Sequence, residues 1–135
     1  MATVNILVAV NVTQAIATGN LGANVFMMDT NGYMGSGGEG TSELKTSCYN
    51  GDTLVWSVVP IDPNDQVSIT SFSGQAIPSM VNPAQYPQFN GTVWGGRVNQ
   101  AGTNVQYTMS LLLAGSVHLS FDPFITAKNP TLAAK

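Results

Sequence analysis

Charge is the scarcest commodity in this sequence. Lys, Arg, Asp and Glu make up 8% of 135 residues, against roughly 25% in an ordinary soluble domain. The four bases, Lys45, Arg97, Lys128 and Lys135, are scattered. Neutralising a phosphate backbone takes several cations on one face, so nucleic acid is excluded as a partner. An anionic membrane surface is disfavoured for the same reason. Cysteine is represented once, by Cys48, which rules out an internal disulfide framework. The single histidine, His118, stands seventy residues further on, and one His with one Cys does not make a zinc site. Long apolar runs are missing as well. No run, LLLA at 111–114 included, approaches the roughly 18 residues of a membrane-spanning helix. The opening MATVNILVAVNV has no basic segment and alternates with Asn, so it does not read as a signal peptide. The expected location is the cytoplasm, with export only by a non-classical route.

What the sequence has in abundance is alternation. Val4, Ile6, Val8, Val10 and Val12 share one face of an extended segment over 3–12. Residues 13–21 can form one or two helical turns before Gly19, and 22–29 read as a second strand. Asn31-Gly32 opens a long loop over 30–40. A polar strand over 41–49 turns Leu44, Thr46 and Cys48 inward, Asn50-Gly51 makes a tight turn, and 52–59 follow with Leu54, Trp56 and Val58 on one face. A proline-containing turn over 60–65 leads to a strand over 65–72. Residues 73–100 lose the pattern, apart from a short strand around 92–98. The clearest signal is a hairpin, with Val105, Tyr107, Met109, Leu111 and Leu113 on one arm and Val117, Leu119 and Phe121 on the other. An extended piece over 122–126 closes the pattern. The expected fold is all-β: a single-domain antiparallel sandwich, Ig-like or jelly-roll-like, of seven or eight strands with little helix, over 1–128, followed by a tail over 129–135.

The motifs of chemistry are weak. GSGGEGTSEL lacks the lysine of a phosphate loop, carries Glu39 and Glu43, and precedes no helix. Asp62 and Asp65 stand in a turn that Asp and Asn favour for their own hydrogen bonds, without the flanking oxygens of a calcium loop. No Gly-x-Ser-x-Gly elbow is present, and His118 lies opposite the apolar face of its strand. The sequence therefore predicts no catalytic residue, no metal and no cofactor. Ligand binding is centred on MVNPAQYPQFNGTVWGGRVNQ, residues 80–100. There Tyr86 and Trp94 offer ring faces, and Asn90 and Arg97 offer hydrogen bonds, as a carbohydrate would require. The competing reading has Phe89 and Trp94 pinning a long loop to the core.

Three motifs carry a family resemblance: the N-terminal strand ILVAVNVTQAI; GEGTSEL with the Asn50-Gly51-Asp52 turn and Trp56; and FDPFIT at 121–126. In that order and spacing they resemble the AidA/PixA inclusion-body protein family of Gram-negative bacteria. The resemblance implies a cytoplasmic β-sandwich whose expression follows quorum sensing, stationary phase or host association, and it implies no catalytic residues. Some members accumulate as crystalline inclusions. Against that, this chain is shorter than many members and holds only six Met. Two functions are expected: a non-enzymatic binding module for a carbohydrate or protein partner, and a self-assembling structural or storage protein. The second also follows from low charge, because weak repulsion favours association and a homo-oligomer.

Overall fold

The computed structural model describes residues 2–130; residues 131–135 of the expected tail lie outside the described part. The elements run β1 (Thr3–Val10), α1 (Val12–Thr18), β2 (Val25–Asp29), β3 (Lys45–Tyr49), β4 (Thr53–Pro60), β5 (Val67–Ser73), β6 (Ala84–Gln85), β7 (Val93–Arg97), β8 (Gly102–Gln106), β9 (Thr108–Leu113), β10 (Val117–Phe121) and β11 (Phe124–Lys128). The all-β reading holds. Eleven strands are described, more than the seven or eight expected, because the sequence pattern merges some strands and passes over the two-residue β6.

One layer is a five-stranded sheet ordered β2-β1-β4-β7-β6. β1 and β4 run parallel, pairing Ile6 with Trp56, which corrects the expectation of purely antiparallel sheets. The facing side chains come from two three-stranded sheets, β10-β9-β5 and β3-β11-β8, and β3 and β11 are again parallel. These two sheets share one long hairpin. Its arms pair from Val117↔Leu113 to Phe121↔Met109, and resume at Phe124↔Gln106 and Ile125↔Val105. Between those blocks both arms turn a corner, at Tyr107 and at Asp122-Pro123. Tyr107 N–H donates to the Pro123 carbonyl (3.0 Å), and Thr108 Oγ1 donates to Asp122 Oδ1 (2.6 Å). The strand expected as one piece through 104–113 is thus two strands in two sheets.

The local chemistry is readable. The Asn11 side chain accepts from Gln14 N–H at the start of α1, and Gly19, at φ 70°, closes its end. Both are ordinary capping devices. The Asn50-Gly51 turn does not make a hairpin, because β3 and β4 belong to different sheets. Asp52 holds this crossing. Its carboxylate accepts from Ala2 N–H (3.0 Å) and Tyr49 N–H (2.9 Å) while only 4% exposed.

The core is one cluster built from the even positions of β1 and the inward faces of β4 and β9. At its centre the fully buried Trp56 packs on Phe72 (ring centroids 4.7 Å apart) and on Tyr107 (5.8 Å). Trp56 Nε1–H donates to the Tyr107 hydroxyl at 3.0 Å. That bond satisfies two buried polar groups at the junction of the layers.

Cys48 is buried, with Sγ 3.7 Å from the Thr126 carbonyl. Burial, with Asp52 and Asp29 nearby, pushes its thiol up to about 12 from 9.0. The folded thiol therefore keeps a proton that the unfolded chain releases above pH 9.0, so stability is fully present below that pH and lost above it. Burial shifts Tyr107 in the same direction. Each such group should remove about 1.4 kcal/mol per pH unit while its unfolded form alone titrates. Urea titrations from pH 8 upward should show this decline, and Cys48 should resist thiol reagents at neutral pH until the chain unfolds.

Candidate functional site

The four residues expected to bind a ligand do not gather at one place. Trp94 on β7 pairs across the sheet with Trp56 and points inward. Its ring lies 5.5 Å from Phe72. The reading in which Trp94 pins the loop to the core therefore describes its position, whereas Phe89 is 45% exposed. Tyr86 lies on the other face of β7, its hydroxyl where a Cβ on Gly95 would stand. Arg97 is exposed on that same outer face, opposite Thr53. Asn90 adopts a left-handed φ of 53° in the turn that precedes β7.

Trp94 Nε1 is buried and has no hydrogen-bond partner among the described residues. Trp94→Phe removes a donor that already stands unsatisfied, so urea denaturation should place the variant within about 1 kcal/mol of the parent.

Asn90 does border a cleft. About 530 Å³ opens where the β4–β5 turn, β5 and the turn after Phe89 meet, with Val58, Pro60, Val67 and Leu112 as apolar lining and Asp65, Asn90 and Thr92 as polar lining. The turn is fixed to β5 by Ile69 N–H donating to the Gly91 carbonyl (2.8 Å), and Thr92 Oγ1 donates back to the Phe89 carbonyl (2.7 Å). The expected turn over 60–65 supplies the far wall, with Asp62 Oδ1 accepting from Asn64 N–H (2.9 Å).

A second surface went unforeseen. One end of the outward face of the five-stranded sheet is apolar, beyond the Thr3, Asn5 and Thr53 positions at its other end. Met28 stands opposite Leu7 and Phe26 opposite Ala9, and Ala9 is flanked on its other side by Val59. Phe26 is 42% exposed, Met28 52%, Leu7 37% and Val59 40%. By strand phase, Arg97 at the far corner is the charged side chain of this face among the described residues. A shallow hollow of about 340 Å³ lies on it, bordered by Asn5, Leu7, Met28, Asp29, Thr30 and Ser57. The sequence signal was available in VFMMD and TLVWSVVP, which are apolar in both phases rather than one. Such runs mark a strand with two covered faces.

The glycine-rich loop is structural. Thr41 Oγ1 donates to the Gly38 carbonyl (2.6 Å), and Gly40 N–H donates to the Met27 carbonyl at the edge of β2 (2.6 Å). A Cβ at Gly38, at φ 75°, would stand 2.8 Å from the Glu43 carbonyl oxygen. Among the described residues no group of three His, Cys, Asp or Glu side chains is placed to hold a metal ion, and no helix is long and apolar enough to cross a membrane.

A family profile described as a domain of unknown function (DUF8788) matches residues 2–118. The chain belongs to that family. Among solved structures, the chain is similar to the crystal structure of the inclusion body protein PixA from Burkholderia cenocepacia, at 15% identity and a TM-score of 0.66. The match covers 96% of this chain and 95% of that one. The AidA/PixA resemblance thus holds at the level of the fold that the DUF8788 chain adopts. No curated protein matches the chain in sequence.

Proposed function

We propose that this protein works without catalysis, as a structural or storage protein that associates with copies of itself. The observation that carries the reading is the open apolar face around Phe26, Met28 and Leu7 on a molecule with 8% charged residues. Contiguous apolar surface of this kind marks an association site, and a near absence of charge removes the repulsion that keeps proteins apart. A solved protein of the same fold is named an inclusion body protein, which is the behaviour this surface favours. Sedimentation velocity at neutral pH, from low micromolar to millimolar protein, should show the mean mass rising above 14.1 kDa. A single monomer at every concentration would overturn the reading.

The cleft beside Asn90 favours a second reading, a binding module for a neutral, hydroxyl-rich ligand such as a carbohydrate. Its volume falls in the range of small-molecule sites, with a few polar groups over an apolar lining. A glycan array probed with the protein and with Asn90→Ala tests it. A hit weakened at least tenfold by the substitution supports the cleft, and a hit indifferent to it removes the cleft as the site.

A further inference from the structure

We infer that β10 is a docking edge for a second copy of this chain, with the two β10 strands pairing antiparallel about Leu119. The inference builds on the self-association reading but uses a different surface, so the two can fail separately.

Sheets end in unpaired backbone groups, and proteins usually guard them. Here most edges are guarded. β2 bonds to the loop through Met27 N–H and the Thr41 carbonyl (3.2 Å), and β3 through Lys45 N–H and the Gly37 carbonyl (2.8 Å). β5 bonds to Gly91 through Ile69 N–H (2.8 Å), and β8 receives Ala76 N–H on the Gln106 carbonyl (3.1 Å). β6 is two residues long between Pro83 and Pro87. β10 differs. Among the described residues its only strand partner is β9, with an unbroken register, and no loop backbone bonds to Val117–Phe121. The sequence VHLSF holds no Lys, no Pro, no acid and no bulge.

The side chains of β10 are also unfinished. Val117 and Leu119 face the core yet remain half-exposed, while His118 and Ser120 are exposed on the other side. Pairing about Leu119 sets Val117 against Phe121, Leu119 against Leu119, and His118 against Ser120. Apolar groups then meet apolar groups on one face, and polar groups meet on the other. A shift by one residue would set apolar against polar, and a shift by two keeps the phase but leaves two residues of each strand unpaired, so the full five-residue pairing is the one about Leu119. The contact maps onto itself by a two-fold rotation, as closed dimers require.

The test exploits the His118–Ser120 opposition, in a Met28→Lys background so that the apolar face does not contribute. His118→Lys with Ser120→Lys puts lysine opposite lysine twice, whereas His118→Lys with Ser120→Glu puts lysine opposite glutamate twice. Both positions are exposed, so both variants should fold. Sedimentation equilibrium should show dimerisation of the Lys/Lys variant at least tenfold weaker than that of the Lys/Glu variant. In parallel, with dissolved oxygen and a copper catalyst as oxidant, Leu119→Cys, whose new thiol is half-exposed while Cys48 is buried, should form a disulfide-linked dimer, and Thr13→Cys should not. Equal behaviour of the two charge variants, or no cross-link through residue 119, would overturn the inference. Wild type and Met28→Lys associating alike would instead count against the apolar face alone.

Discussion

Trp56→Ala is expected to lower stability by about 3–5 kcal/mol, the usual cost of emptying a large aromatic site in a packed core. Trp56 is fully buried and touches both layers, through Phe72 and Tyr107. The substitution also strips the Tyr107 hydroxyl of its bond to Nε1, and a buried hydroxyl left alone costs about 1–3 kcal/mol. Against a typical net stability of about 5–15 kcal/mol, the combined loss should leave much of the protein unfolded at 37 °C. Tyr107→Phe separates the two contributions. It keeps the rings in contact and strands only the indole N–H, so its cost should be about 1–3 kcal/mol. Urea denaturation followed by far-UV circular dichroism measures both. A Trp56→Ala variant as stable as the parent would mean that the two layers are not joined there.

Phe26→Lys combined with Met28→Lys is expected to raise the dissociation constant for self-association at least tenfold, equivalent to about 1.4 kcal/mol. Both side chains are already substantially exposed, so folding should be nearly unaffected, because surface substitutions of this kind usually change stability by about 0.5 kcal/mol or less. The pair of lysines adds positive charge to a face that has Arg97 at its far corner and Asp29 at the rim of its hollow. Association would then require like charges to approach in a desolvated contact. Sedimentation velocity at matched concentrations reads the result. Unchanged association would place the contact elsewhere on the surface, and unfolding would show that the face also supports the sheet.

The sequence made some of this plain and hid the rest. The inward positions of β1, β3 and β9 were legible because each alternates against one core. The short helix was legible from the spacing to Gly19, a residue that tolerates the left-handed cap. Strand partners were not, since alternation looks the same in a parallel and an antiparallel neighbour. The pairing of β1 with β4 therefore came only from the structure. The corner at Tyr107 stayed hidden for a related reason: the two-residue period runs through the bend without losing phase, from Val105 to Met109. The ligand loop over 80–100 was read from composition, which reports residue types but not directions. Trp94 turned inward while Tyr86 and Arg97 lie on the other face. The apolar face is hidden because alternation marks the phase that meets the core and says nothing of what covers the other phase.

The central place of β11 between β3 and β8 bears on how the chain is made. A ribosome releases β3 well before, and β8 shortly before, the strand that both must clasp. Until β11 emerges, that sheet cannot be assembled, and the parallel pair with β3 closes a loop of some eighty residues, a slow kind of contact to form. Nascent chains therefore carry bare strands through most of synthesis. At high expression those strands can find each other before they find β11, a route to dense aggregates that depends on translation speed rather than on the finished surface.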